Sequence, residues 1–285
     1  MTQIINRAEI LVEALPYIQK FSGQILVIKF GGSVMVDSDL KAAFAKDMVL
    51  LRCVGIYPIV VHGGGKEISH WMNKMGKKAV FIDGYRFTDS ETMEITEMVL
   101  TGKISNQIVE QINKMGGKAI GLSGKSANLF TAKRIRSEHD EDLGFVGQIE
   151  SIDETLLKQL VKDGYIPVIS SVGLDKNSET LNLNADNVAY AIASHLKAQK
   201  LIYLTDVDGV LINDKLQHRL SVSEIESMMN APNSPITGGM RPKLACATRA
   251  IQSGVSQVHI INGSKSHSTL LELLSNDGVG TLIEA

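Results

Sequence analysis

Two glycine clusters stand where apolar, β-like runs stop, and they dictate how this chain must turn. Ile25-Leu26-Val27-Ile28 leads into Lys29-Phe30-Gly31-Gly32-Ser33, and Ile59-Val60-Val61 leads into His62-Gly63-Gly64-Gly65. Glycine has no Cβ, so the backbone can reverse sharply there and bring its N–H groups against an anion. A helix that starts just after adds the positive end of its dipole. Either cluster alone is accounted for by a tight corner between strand and helix. Two together, one with a lysine at its mouth, point to a site for phosphate or carboxylate.

From Ile25 onward short β-branched runs alternate with helical patterns. Strands are expected over 25–30, 58–62, 118–122, 166–170, 201–205 and 257–261, and helices over 39–54, 67–75, 91–115, 154–162, 186–196 and 242–253. That alternation predicts an α/β fold, a mainly parallel sheet covered by helices on both faces. Thr88-Asp89-Ser90-Glu91 and Ser151-Ile152-Asp153-Glu154 have capping-box spacing and mark two helix starts, and Gly164 closes the second helix. Residues 129–149, with the acidic run 138–142 between two β-like flanks, read as a β-hairpin with an exposed tip. The polar interruption 175–180 is expected to divide two lobes, which share one sheet because no Pro/Ser-rich linker separates them. Ahead of the first strand, Ile4, Ala8, Leu11, Val12 and Leu15 fall on one helical face, followed by Pro16, Tyr17 and Phe21. A stripe of that kind must be buried on its own body or on a neighbouring subunit.

The chain of 285 residues is 44% hydrophobic, enough for a substantial core, and carries a formal net charge of −2. That balance excludes the basic field that nucleic acid or an anionic membrane requires, and leaves a small-molecule role. Cys53 and Cys246 lie in apolar, helical surroundings without a second Cys or His at ligand spacing, so neither a zinc site nor a disulfide framework is expected. No apolar run approaches the roughly 20 residues that span a bilayer, and the N-terminus, with Arg7, Glu9 and Glu13, lacks the apolar centre of a signal peptide. A cytoplasmic location is the expectation.

Two common phosphate signatures fail. Gly124-Lys125-Ser126 lacks the first glycine of the triphosphatase loop, whose place is taken by Ala119, and the dinucleotide fingerprint after Gly63 would need its last glycine at Ile68. Lys29 instead ends an otherwise apolar strand beside Gly31 and Gly32, an isolated charge placed to reach an anion held by the turn. Thr237-Gly238-Gly239-Met240-Arg241-Pro242-Lys243 puts cations near a helix start, against the dipole, where they want an external anion. In Asn182-Leu183-Asn184-Ala185-Asp186, Asn184 is a natural helix cap with Asp186 in the first turn, which leaves Asn182 unexplained. Thr205-Asp206-Val207-Asp208-Gly209 closes another strand with two carboxylates, suited to a magnesium-bound nucleotide or a ribose, though also common as a plain βα turn. Arg86, between Tyr85 and Phe87, can fork onto a carboxylate or make a cation–π contact.

Taken in order, Lys-x-Gly-Gly, His-Gly-Gly-Gly, Asn-x-Asn-Ala-Asp and Gly-Gly-Met-x-x-Lys resemble the amino acid kinase family, and the likeness runs from the N-terminal helix to Gly278-Val279-Gly280-Thr281. The resemblance implies a three-layer αβα sandwich and, among the members it fits best, transfer of the γ-phosphoryl of ATP, with Mg²⁺, to the side-chain carboxylate of N-acetyl-L-glutamate, with no tightly bound cofactor and no metal held by the protein itself. It casts Lys29 and Lys243 as stabilisers of the transferring group and Asp186 as the aspartate that orients them. Gly64, Gly65, Arg86 and Asn182 match positions for the acylated amino acid, and Gly31, Gly32, Asp206 and Gly209 positions for the nucleotide. Residues 1–22 correspond to an oligomerisation helix, 23–175 to the amino-acid and dimerisation lobe, and 176–285 to the ATP lobe. Ser126-Ala127-Asn128 departs from the family pattern, in which Asp-Gly follows Gly-Lys. The N-terminal helix resembles that of arginine-inhibited, hexameric members built from dimers, and for them the effector site falls on Tyr17, Lys200, His259, Glu272 and Gly278. Kinases of aspartate, free glutamate, carbamate and uridylate remain as rivals within the fold, and a non-catalytic amino-acid-sensing module remains from outside catalysis.

Overall fold

The computed structural model describes residue 9 and residues 12–35, 37–275 and 278–285. Helix α1 (Leu15–Phe21) precedes β1 (Ile25–Phe30). A 3-10 turn (Gly32–Met35) leads on to α2 (Ser38–Cys53) and β2 (Tyr57–His62), and α3 (Gly65–Lys74) follows the second glycine cluster. The hairpin of β3 (Phe81–Ile82) and β4 (Tyr85–Arg86) comes before α4 (Ser90–Glu97), a π-helical segment (Met98–Ile104) and α5 (Ser105–Lys114). Next are β5 (Ala119–Leu122), β6 (Phe130–Arg136), β7 (Asp142–Ile152), α6 (Thr155–Lys162), β8 (Ile166–Ser170), β9 (Val172–Leu174) and β10 (Thr180–Leu183). The chain finishes with α7 (Ala185–His195), β11 (Lys200–Thr205), β12 (Leu211–Ile212), β13 (Lys215–Leu216), β14 (Arg219–Ser221), α8 (Val222–Asn230), α9 (Met240–Gln252), β15 (Gln257–Asn262), α10 (Ser268–Leu274) and β16 (Thr281–Glu284).

Eight strands form one sheet in the order β14-β16-β15-β11-β1-β2-β8-β5, parallel except where β16 runs against β15. Its central strands read as continuous apolar runs because both faces are covered. Successive residues point to opposite sides. Val27, Ile59, Val61, Leu201 and Tyr203 join one buried cluster with α6, α7, α8 and α9. Leu26, Ile28, Val60, Ile202 and Leu204 join another with α2, α3, α4, α5 and α10. The expected αβα sandwich is what forms, and the continuous sheet joins the two ends of the chain through β1 and β11, paired in register from Leu26↔Lys200 to Lys29↔Tyr203.

Four differences from the sequence reading have local causes. The single helix expected over 91–115 is interrupted by the π-helical segment, where Thr101 Oγ1 donates to the Glu97 carbonyl at 2.7 Å and Val99, Leu100 and Ile104 are buried. The cap of α4 is Asp89, whose carboxylate accepts from the Thr92 N–H, and at α6 Asp153 accepts from the Thr155 N–H; neither is a reciprocal box. A reciprocal box does occur at Ser221 and Glu224. The hairpin over 129–149 is longer, and β6 and β7 close with β9 and β10 into a small four-stranded sheet of their own. The polar stretch 175–180 is largely the turn between β9 and β10 inside that small sheet.

Of the N-terminal stripe, Ile4, Ala8 and Leu11 lie outside the described residues, Val12 and Leu15 are exposed, and Phe21 is buried. Among the described residues no helix is long and apolar enough to cross a membrane.

Candidate active site

A cavity of about 380 Å³ opens at the carboxyl ends of β1 and β2, roofed by the β3–β4 hairpin. Ligands of open α/β sheets collect at that end of the strands. Lys29, Gly31, Gly32, Gly64, Gly65, Arg86, Asn182 and Asp186 all line it, so residues spread over more than half the sequence meet in one place.

Gly32 takes φ +72°, and a Cβ there would stand 2.3 Å from Asp206 Oδ1; conformation and contact both demand glycine. Asp206, at the end of β11, therefore rests on the first glycine turn. At Gly64 a Cβ would meet Ile104 Cδ1 at 2.3 Å and Leu100 Cδ2 at 2.7 Å, so the π-helical segment is packed directly beneath the second turn.

Asp186 holds two cations at once. Lys29 Nζ lies 2.9 Å from Oδ1, and Lys243 Nζ donates to Oδ2 at 2.5 Å. Burial by itself would raise this carboxyl, but the two ammonium charges outweigh it and hold the group at about 2. Burial also pulls Lys243 below the usual lysine range, with Asp186 opposing. Tyr203, whose hydroxyl donates to the Asp186 carbonyl at 3.2 Å, lies with its ring 4.9 Å from Lys243 Nζ; burial drives its phenol well above the ordinary value. Asn184 caps α7 by accepting from the N–H groups of Asp186 and Asn187. Asn182 instead lines the cavity and donates to Thr88 Oγ1 at 3.2 Å.

Arg86 is 7% exposed, and desolvation lowers its pKa. Its Nη2 donates to the Gly65 carbonyl at 2.8 Å and to Ser69 Oγ at 2.9 Å, and its guanidinium carbon lies 4.8 Å from the centre of the Phe81 ring. The cation–π partner is thus Phe81, not Tyr85 or Phe87. Among the described residues no carboxylate pairs with it.

Gly209 stands apart from the cavity lining. With φ +153° it packs against β16, where a Cβ would meet Thr281 Oγ1 at 2.6 Å. Asp208 is taken up by Lys265 at 2.6 Å and by Asn262 at 2.8 Å.

Four of the five residues of the expected effector site, Lys200, His259, Glu272 and Gly278, come together where β11, β15 and α10 meet. Lys200 Nζ lies 2.9 Å from His259 Nε2, His259 Nδ1 lies 2.6 Å from Glu272 Oε1, and Glu272 Oε2 accepts from the N–H groups of Val279 and Gly280. Gly278 abuts the same carboxylate, since a Cβ there would stand 3.4 Å from Oε2. Tyr17 sits on α1, which packs against α10, and Lys200 Nζ lies 4.8 Å from the centre of the Phe21 ring. Burial lowers Lys200 to about 8 and also lowers His259. Burial pushes Glu272 upward, but the bond to His259 and the two backbone N–H groups win and hold it below the usual range.

Several lining residues gave no signal in the sequence. Leu100, Ile104, Ile108 and Lys41 line the cavity, and no motif in the sequence singles them out. Lys66 follows the triple glycine directly, and that adjacency could have singled it out. His62, fully buried, turns Nδ1 toward the Gly63 carbonyl at 3.1 Å, and burial lowers it to about 4, so it is neutral at pH 7.

The sequence model of the amino acid kinase family matches residues 24–262. An acetylglutamate kinase of Methanocaldococcus jannaschii is 50% identical over 295 aligned positions, covering 99% of this chain and 98% of its own. One from Kosmotoga olearia is 50% identical over 276, covering 97% and 96%. Among solved structures, an N-acetylglutamate synthase of Neisseria gonorrhoeae, complexed with coenzyme A and N-acetyl-glutamate, superposes with a TM-score of 0.87 at 26% identity; the match covers 98% of this chain but 63% of the synthase. A carbamate kinase of Giardia lamblia, at TM-score 0.64 and 16% identity, shares the fold.

Proposed function

This chain belongs to the amino acid kinase family, and we propose that it transfers the γ-phosphoryl of ATP to the side-chain carboxylate of N-acetyl-L-glutamate, giving the acyl phosphate and ADP, a step of arginine biosynthesis. The observation that carries the reading is Asp186 between Lys29 and Lys243, with Lys29 and Asp186 lining a cavity that also holds the glycine turns and the buried Arg86. Relatives at 50% identity over nearly the whole chain support the choice of acceptor.

A carboxylate with an ordinary pKa near 4.3 is ionised at neutral pH, so the nucleophile needs no general base. Its oxygen forms the new bond to the γ-phosphorus as the bond to the β-γ bridging oxygen breaks and the electron pair leaves with ADP. The obstacle is the approach of two anions through a loose transition state with charge on the equatorial oxygens. Lys29, Lys243 and the N–H groups of the glycine turns meet that charge from fixed positions, and Mg²⁺ arrives with the nucleotide. Asp186 keeps two like charges side by side without their repelling each other out of place. Arg86 takes the free α-carboxylate and Asn182 the amide of the acyl group, while Gly31, Gly32, Asp206 and Gly209 face or support the nucleotide.

In this reading residues 23–175 carry the acceptor and residues 176–285 the nucleotide, with Asn182 reaching back across the boundary. Residues 1–22 join dimers into a hexamer, and L-arginine inhibits through Tyr17, Lys200, His259, Glu272 and Gly278. The enzyme works in the cytoplasm, on small molecules, away from nucleic acid and membrane. The test is acyl phosphate formation trapped as the hydroxamate, with MgATP and each of N-acetyl-L-glutamate, glutamate, aspartate and N-acetylaspartate. Preference for N-acetyl-L-glutamate is expected; equal or better turnover of a free amino acid defeats the assignment.

A further inference from the structure

We infer that Lys66 is a phosphate-binding residue of this cavity, a mobile cation that leaves Asp206 for the β- and γ-phosphates of MgATP. The inference deepens the proposed function and rests on it for the nucleotide.

Lys66 is the second residue of α3, directly after the glycine that begins the helix, and it lines the same cavity as Lys29, Gly31 and Gly32. A cation in the first turn of a helix opposes the helix dipole, so a neighbouring anion is favourable to it. The anion it finds is Asp206, with Nζ 3.8 Å from Oδ2 and the lysine side chain 70% exposed. An ion pair so long and so wet holds its members weakly. The other oxygen of Asp206 is the one that fills the space a side chain at Gly32 would need, 2.3 Å from the Cβ position. Lys66 therefore hangs beside the first glycine turn, although its own helix springs from the second.

A triphosphate lying along the Gly31–Gly32 turn enters the gap that the Lys66–Asp206 pair now spans. It offers more charge than one carboxylate, and the lysine's flexible stem lets it follow. Lys29 and Lys243 are fixed on Asp186, whereas Lys66 has no such anchor. The fixed pair is suited to charge that develops in the transition state, and the free one to charge already present in bound ATP, which is uniform binding. Lys66 should accordingly govern nucleotide affinity and leave turnover alone.

The experiment titrates MgATP and MgADP into wild type, Lys66→Met and Lys66→Arg by calorimetry without acceptor, followed by steady-state kinetics. Lys66→Met should weaken MgATP by about 10-fold, the scale of one charge-assisted contact, and MgADP by less. Lys66→Arg should restore most of that loss. At saturating MgATP, kcat and the KM for the acyl acceptor should stay within about threefold, and the difference between wild type and Lys66→Met should shrink as salt rises. MgATP affinity within twofold of wild type in Lys66→Met, or a loss confined to the acceptor KM, would overturn the inference. Binding is read without the acceptor, so a wild type that binds MgATP but fails to phosphorylate N-acetyl-L-glutamate removes the acceptor assignment and leaves the Lys66 comparison intact.

Discussion

His267, at the head of α10, meets Asp47 in the middle of α2, with Nδ1 2.5 Å from Oδ1. The carboxylate is almost fully buried, and the imidazole is partly exposed. Burial is the larger influence and raises Asp47 from 3.8 to about 6, although His267 pulls the other way. Because the folded state keeps its proton to higher pH than the unfolded chain, it binds more protons between pH 4 and 6. Stability from this residue is complete below pH 4 and is lost as pH rises through 6. The gap corresponds to about 3 kcal/mol. Asp47→Asn should therefore be more stable than wild type in urea unfolding at pH 8, with most of that advantage gone at pH 4. Equal destabilisation at both pH values would show that the bond to His267 outweighs the cost of burial.

Asp186 has the opposite sign. Its folded carboxyl is held at about 2, so it favours the fold above pH 4 and loses that contribution as pH falls toward 2. It is fully charged wherever the enzyme operates, and the pH profile of kcat should show no acid limb from it above pH 4. Asp186→Asn leaves Lys29 and Lys243 close together without their shared anion. Along with Lys29→Ala and Lys243→Ala, it should lower kcat by about 10²-fold or more, the scale of a lost preorganised donor, with smaller effects on KM. Turnover near wild type in Asp186→Asn would return this residue to the role of a first-turn helix acid.

Arg86 should show the reverse pattern. Its fork already holds the Gly65 carbonyl and Ser69, which fixes the guanidinium before substrate arrives. Arg86→Ala removes a charged, preorganised partner for a carboxylate, and the KM for the acyl acceptor should rise about 10- to 100-fold, with kcat changed less. Arg86→Lys should recover little, because a point charge cannot span both oxygens. A normal KM in Arg86→Ala would take this residue out of the acceptor site.

The strands of the sheet were legible because a strand buried on both faces leaves a continuous apolar run, and β1 and β8 lie where those runs lie, at 25–30 and 166–170. Lys29 and Lys243 were legible because glycine-marked turns stand beside them, whereas Asp186 by itself reads as a first-turn helix acid and was singled out only by the family resemblance. What stayed hidden depends on partners distant in sequence. Nothing local marks Asp47 as facing His267, 220 residues on, or Leu100 and Ile104 as filling the space under Gly64. The π-helical segment left only a weak trace: Val99, Thr101, Gly102 and Ile104 are poor helix formers, but the widened turn itself appears only once Val99, Leu100 and Ile104 are packed. Turn chemistry misled at 88–91: Asp89 there outcompetes Thr88, whose hydroxyl is turned inward to the Arg86 carbonyl.

The proposed control by arginine would hinge on α1. The helix packs on α10, which carries Glu272, and Phe21 lies beneath Lys200, while Val12 and Leu15 remain exposed on the subunit. An exposed apolar edge at that place suits a second copy of the same helix from a neighbouring dimer. Glu272 is ionised, bonded to His259 and to two backbone N–H groups, and beside a buried Lys200. For a guanidinium to grip this carboxylate through two parallel bonds, the Val279 and Gly280 N–H groups must give up Oε2; lysine offers one point of charge, so lysine should not replace arginine as inhibitor. An inhibitor that selects one global state must be opposed by a substrate that prefers the other. Arginine should raise the apparent KM for N-acetyl-L-glutamate, and N-acetyl-L-glutamate should weaken arginine binding by the same factor. A variant starting at Gly23 should run as an active dimer with arginine inhibition lost or blunted, and Glu272→Gln in the full chain should lose arginine binding while remaining hexameric. A truncated enzyme that stays hexameric and fully arginine-sensitive would remove α1 from both roles.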